Sequence, residues 1–193
     1  MKQLVVLVGL PGSGKTSFRK GHPTWAVVSK DDIRLSVFNC DFDLDYEETV
    51  ERVFAAALVE VAQSAAEVVC VDNTNITRAE REPLIEVARL SGREPIAHVM
   101  PVLPLESLYE VKKRQLRELA ASCPKTRVGG FSLKRYERMY ERYEAIGETE
   151  GFSQVISQKL PVMAAFVASH KSAARKKRPR RIEELRPLPL FVG

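Results

Sequence analysis

Apolar positions along this chain recur in two rhythms. Short, almost unbroken apolar runs occupy Lys2–Val8, Trp25–Val28, Val68–Val71 and Pro95–Val102, and Gly151–Ile156 forms a further short segment. Runs of this length without polar alternation suit strands buried on both faces. Between them the period lengthens. From Tyr46 onward, Val50, Val53, Phe54, Ala57, Leu58 and Val61 fall on one helical stripe. Further helices are predicted over Arg78–Leu90 (stopped by Gly92), over Leu105–Leu119, and from about Ser132. A shorter helix opens at Lys15 and Thr16 and is stopped by Gly21, His22 and Pro23. Strands alternating with helices predict an α/β fold, a parallel sheet of four to five strands covered by helices on both faces.

The 193 residues suffice for one domain with its own core. Periodicity is lost from His170, so the expected organisation is a domain over residues 1–165 and a mobile tail over 166–193. Charge follows the same division. From Lys171 to Gly193 there are eight basic and two acidic residues, whereas the rest holds 22 basic and 23 acidic ones. The net charge of +5 therefore belongs to the tail. No apolar run approaches the roughly 20 residues that cross a bilayer, and the first residues read as a strand and not as a signal peptide. Cys40, Cys70 and Cys123 lack metal spacing and are odd in number, which suits reduced thiols in a cytoplasmic protein. His22, His98 and His170 are equally scattered, which disfavours a zinc site.

Gly9-Leu10-Pro11-Gly12-Ser13-Gly14-Lys15-Thr16 fits the pattern G-x-x-x-x-G-K-[ST] between a predicted strand and a predicted helix. Glycines let successive backbone N–H groups turn toward a phosphate, and the helix start adds positive potential. Lys15 can reach the β- and γ-phosphates, and the Thr16 hydroxyl can ligate Mg²⁺. The predicted ATP-binding set is Gly9, Pro11, Gly12, Ser13, Gly14, Lys15, Thr16 and Ser17. A P-loop nucleotide-binding fold follows; kinase, GTPase and motor all use it.

After the second strand comes Ser29-Lys30-Asp31-Asp32-Ile33-Arg34. Ser29 and Asp32 have capping spacing, which gives Asp32 a structural task and leaves Asp31 to project beside Arg34. There Asp31 is placed to take the proton of an attacking hydroxyl; the alternative is that both carboxylates only serve helix-start amides. The third strand ends in Asp72-Asn73-Thr74-Asn75, where an acidic residue after four apolar ones suits Mg²⁺, with a plain strand-to-helix turn capped by Thr77 as the alternative.

In this order the three elements resemble the phage and bacterial polynucleotide 5′-hydroxyl kinases and their P-loop relatives, over residues 1 to about 145. The resemblance implies Asp31 as general base, Arg34 on the acceptor phosphate, Asp72 and Thr16 at Mg²⁺, and a helical lid over about 112–130 carrying arginines to ATP. Lys113, Arg114 and Arg117 occupy that stretch, where Arg114 also has Glu110 within pairing distance on a solvated helix face. The segment Asp41-Phe42-Asp43-Leu44-Asp45 mimics a calcium loop, but Tyr46 and Arg52 stand where such a loop needs Gly and Glu.

The implied activity is transfer of the γ-phosphate of ATP to the 5′-hydroxyl end of DNA or RNA. The alternatives are a kinase of a small molecule, nucleoside or modified DNA base, and a non-catalytic ATP-gated nucleic-acid-binding module. The tail's Arg175, Lys176, Lys177, Arg178, Arg180 and Arg181 suit a nucleic-acid arm, a nuclear address or a solubilising end.

Overall fold

The structure is a computed structural model that describes residues 1–123, 125–126 and 131–158. The chain divides into two units, Met1–Lys159 and Leu160–Gly193. The second unit, with the basic tail and the expected boundary near residue 165, lies outside the described residues.

Five strands form one parallel sheet: β1 (Gln3–Val8), β2 (Ala26–Val28), β3 (Val68–Val71), β4 (Glu94–Val99) and β5 (Gln154–Ser157), in the order β2-β3-β1-β4-β5. The central β1 pairs Val5 with Cys70 on one side and Ile96 on the other. Its alternate residues serve opposite faces. Leu4, Val6 and Val8 pack with Phe54, Leu58, Leu84 and Ala88 of helices α3 (Leu44–Gln63) and α4 (Arg78–Leu90). Val5 and Leu7 form a smaller cluster with Ile96, Phe18 and Trp25, where Phe18 belongs to the short α1 (Lys15–Lys20). A third cluster joins Leu10 and Ile76 to Leu108 of α5 (Leu105–Ser122) and Tyr136 of α6 (Leu133–Glu141).

Local chemistry sets most boundaries. Thr77 caps α4 through a capping box with Glu80. Ser29 caps the four-residue α2 (Lys30–Ile33) by accepting from the Asp32 amide. The chain then passes into a π-helical turn over Arg34–Phe38, ended by Asn39 at φ 51°; the apolar pattern did not announce that turn. β4 ends at Val99, before Pro101 and Pro104, whereas the apolar run predicts Val102. Proline lacks the N–H a ladder needs, so the strand stops early. β5 begins at Gln154 because Gly151 takes φ +102°.

Two arginines are buried in this frame. Arg93 donates to the carbonyls of Ala62 at 2.5 Å, Ala66 at 2.8 Å and Ser64 at 3.0 Å, tying down the turn after α3. Arg81 pairs with Glu150 through Nε at 2.8 Å and Nη2 at 2.7 Å and also donates to the carbonyls of Asn75 and Glu144.

Candidate active site

The loop after β1, the start of α2 after β2 and Asp72 after β3 all leave the sheet at its carboxyl edge, where open α/β sheets bind ligands. They line one cleft of about 1410 Å³, whose far wall comes from α5 and α6.

The loop from Gly9 to Gly14 is tightly enclosed. A Cβ on Gly12 would lie 2.6 Å from the Leu108 carbonyl, and Gly12 has φ +83°, so only glycine fits. A Cβ on Gly9 would meet Ser13 Oγ at 2.7 Å and Met100 Cβ at 2.8 Å. Lys15 folds back under the loop and donates to the carbonyls of Gly9 at 2.7 Å and Leu10 at 2.9 Å. It is buried. Burial pulls its ammonium down to about 8 against the raising influence of Asp72 and Asp31.

Asp72 sits beside this lysine. Its Oδ2 accepts from Thr16 Oγ1 at 3.1 Å and from Arg19 Nε at 2.9 Å. Burial raises its carboxyl, opposed by Lys15, Arg19 and the Thr16 hydroxyl. Asn73 Oδ1 accepts the Lys30 amide at 3.0 Å and so joins the turns after β3 and β2.

The two carboxylates of α2 are separated by their partners. Arg19 takes both oxygens of Asp32, at 2.5 and 3.0 Å. Asp31 has a 67% exposed side chain facing the cleft and meets Arg34 Nη1 at 2.6 Å. Arg34 in turn donates Nε and Nη2 to Glu47 at 2.8 and 2.7 Å. Arg19 and Glu47 are site residues that motif reading missed. Arg19 was within reach, since it stands three positions after Thr16 on the same helical face; Glu47 lies on a distant helix.

Lys112 and Arg135 are the cations of α5 and α6 that line the cleft. Arg114 and Arg117, the arginines expected there, are exposed, and Arg114 Nε lies 3.6 Å from Glu118 Oε1. Neither lines the cleft, because on α5 the buried stripe of Leu108, Val111 and Leu116 turns Lys112 inward. Lys113 lies over the Tyr109 ring at 5.5 Å. The buried Tyr136 donates its hydroxyl to the Pro11 carbonyl at 2.5 Å, fixing α6 to the phosphate loop. The tail cations Arg175, Lys176, Lys177, Arg178, Arg180 and Arg181 lie outside the described residues.

The family profile of the AAA domain known as AAA_33 matches residues 4–139. The chain belongs to that AAA domain family. Kti12 of Chaetomium thermophilum in complex with ADP-AlF3 is 18% identical, with 89% of this chain and 97% of that chain covered, at a TM-score of 0.57. A chain of the Pnkp1/Rnl/Hen1 RNA repair complex is 21% identical, with 77% and 50% covered, at 0.53. A further structure of the Pnkp1/Rnl/Hen1 complex gives 25% identity over 56% of this chain and 38% of that one, at 0.47. This chain thus spans half or less of the Pnkp1/Rnl/Hen1 chains it matches. No curated protein matches the sequence.

The AAA domain has the P-loop kinase fold, and its residues fit a magnesium nucleotide. Among the described residues the buried Ser13 Oγ has no hydrogen-bond partner, as expected of a hydroxyl set for a phosphate oxygen. Thr16 and Asp72 offer oxygen donors only, the set a hard Mg²⁺ takes alongside phosphate and water. Among the described residues no helix is long and apolar enough to cross a membrane.

Proposed function

We propose that this domain transfers the γ-phosphoryl group of ATP to the 5′-hydroxyl end of DNA or RNA. The observation that supports transfer is the position of Asp31. It is the one carboxylate of α2 that Arg19 leaves alone, and it faces the same cleft as Lys15 and Thr16. The nucleic-acid acceptor comes from the ordered resemblance of the three motifs to polynucleotide 5′-hydroxyl kinases.

Asp31 accepts the proton as the acceptor oxygen closes on the γ-phosphorus, and the bond to the β–γ bridging oxygen breaks to release ADP. Lys15 leaves the Gly9 and Leu10 carbonyls for the phosphates and stabilises their charge. Thr16 and Asp72 would hold Mg²⁺, which would supply positive charge to the phosphates. Arg34 keeps Asp31 in place through the bond at 2.6 Å.

A second reading, a kinase of an uncharged small molecule, draws on the same arginine. Glu47 and Asp31 already compensate Arg34, so the acceptor wall does not demand a phosphate there. The test is multiple-turnover transfer from γ-labelled ATP to a 5′-hydroxyl oligonucleotide, its 5′-phosphorylated counterpart, free nucleosides and hydroxymethylated DNA. Label on the 5′-hydroxyl strand alone is expected. Equal labelling of nucleosides, or none of the strand, sinks the nucleic-acid reading, and no transfer at all leaves only ATP-gated binding.

A further inference from the structure

We infer that Phe42 and Arg135 form a subsite for one nucleotide unit of the acceptor, with the base on the Phe42 ring and an adjoining phosphate on the Arg135 guanidinium. This rests on the nucleic-acid reading above and names part of its acceptor site.

Phe42 lies between the π-helical turn and α3, half-buried in the cleft wall on the side of Asp31. A phenyl ring that served only to pack would join the core, but Phe42 belongs to none of the apolar clusters among the described residues. Its ring instead carries two guanidinium groups, Arg34 at 5.7 Å and Arg135 at 4.4 Å.

These two cations differ in what else they touch. Arg34 has an 11% exposed side chain and spends Nε, Nη1 and Nη2 on Glu47 and Asp31. It is a fixed, neutralised part of the wall. Arg135 is exposed, and among the described residues its guanidinium has neither carboxylate nor hydrogen-bond partner; the ring is its contact. Its position is nonetheless set, because the next residue, Tyr136, anchors α6 to the phosphate loop through Pro11.

An uncompensated guanidinium facing a phosphate-handling cleft is an anion receptor held on a weak partner. When it turns to an anion it uncovers one face of Phe42. That face suits the flat surface of a nucleobase, and stacking of this kind tolerates any base. A ring and a cation side by side match the alternation of base and phosphate along a strand.

The test uses the full chain, ATP and two acceptors: a 5′-hydroxyl trinucleotide and the same molecule lacking its 5′-terminal base. Phe42→Ala should raise KM about tenfold for the first and leave KM for the abasic acceptor at the wild-type value. Phe42→Trp should restore the loss and guards against a folding defect. Arg135→Ala should raise KM for both acceptors, with partial rescue by Arg135→Lys. Equal effects of Phe42→Ala on both acceptors, or a change confined to the KM of ATP, overturns the subsite. If the wild type phosphorylates neither acceptor, the nucleic-acid reading fails by itself. Quenching of a 5′-phosphorylated trinucleotide carrying 2-aminopurine then decides: quenching abolished in Phe42→Ala retains the subsite, and quenching that ignores Phe42 removes it.

Discussion

Arg19 grips both oxygens of Asp32, Nη1 to Oδ2 at 2.5 Å and Nη2 to Oδ1 at 3.0 Å. This contact distinguishes two neighbouring carboxylates that spacing leaves nearly alike. Asp32 is held on the helix that follows the phosphate loop, while its amide bonds Ser29 Oγ at 3.3 Å. Asp31 keeps its open side toward the cleft.

Asp31→Asn should therefore lower turnover by about 10²–10⁴-fold, the usual range for a lost general base, and leave the ATP dissociation constant unchanged. Asp32→Asn should instead lower stability by about 1 kcal/mol through a weaker helix start and ion pair. Turnover and urea midpoints for both variants decide it. If Asp32→Asn is the inactive one, the roles are reversed.

Lys15→Ala should abolish transfer, and ATP should raise the melting temperature of the wild type but not of this variant. The unliganded protein should also suffer. The variant leaves the Gly9 and Leu10 carbonyls without their donor, a loss of about 1–3 kcal/mol. The offset is relief from burying a charge, so a midpoint change smaller than about 1 kcal/mol would show the two effects in balance. Retained transfer would mean that the loop does not cradle the donor.

How much of this was legible beforehand depended on the range of the interaction. Unbroken apolar runs gave the strands, and glycine and lysine spacing gave the phosphate loop, because those signals lie within a few residues. The capping role of Ser29 and the Arg34 to Asp31 contact were equally local. Glu47 on Arg34 is a 13-residue separation, Arg93 reaches Gln3 across 90, and Tyr136 reaches Pro11 across 125. Such partners depend on which helices pack together, and periodicity does not encode that. The orientation of α5 was open for the same reason: Lys112 and Arg114 are both basic, and packing of Leu108, Val111 and Leu116 chose which one faces the cleft.

Arg93 offers a test of one of these distant partnerships. Its guanidinium feeds several carbonyls in different directions, from Ala62 to Ser64 and Ala66. Lysine carries charge but cannot present donors in that planar fan. Arg93→Lys should cost about 2–4 kcal/mol, since at least two charge-assisted bonds disappear. Denaturant unfolding with an unchanged slope is the check, and a cost below about 0.5 kcal/mol would show the fan to be dispensable.

The Arg81 to Glu150 pair makes a pH prediction. Burial pushes the Glu150 carboxyl up, but hydrogen bonds from Arg81 and the Gly147 amide outweigh it and hold it below its ordinary value of 4.5. A depressed carboxyl contributes stability above that ordinary value and loses it as pH falls through the folded one. Glu150→Ala should cost about 3–5 kcal/mol at pH 7, because Arg81 is left buried without its charge partner. The gap between wild type and variant should stay level from neutral pH down to about 5 and narrow below 4.5. A gap that widens on acidification would contradict the assigned direction.

The basic tail tests where polyanion attraction arises. Residues 171–193 carry eight basic and two acidic residues, and the remainder is close to neutral. Long-range attraction to a strand should then come mostly from the tail. Truncation after His170 should weaken binding of long single strands and flatten its salt dependence, by about 0.7 in log–log slope for each phosphate that the tail no longer neutralises. Turnover on a short oligonucleotide that fills only the cleft should change little, since Lys15, Asp31 and Asp72 all remain. A nucleic-acid arm therefore predicts a defect that grows with strand length, whereas a solubilising tail predicts none at any length. An unchanged salt slope for a long strand removes the arm, and loss of cooperative unfolding on truncation shows instead that the domain needs this segment to fold.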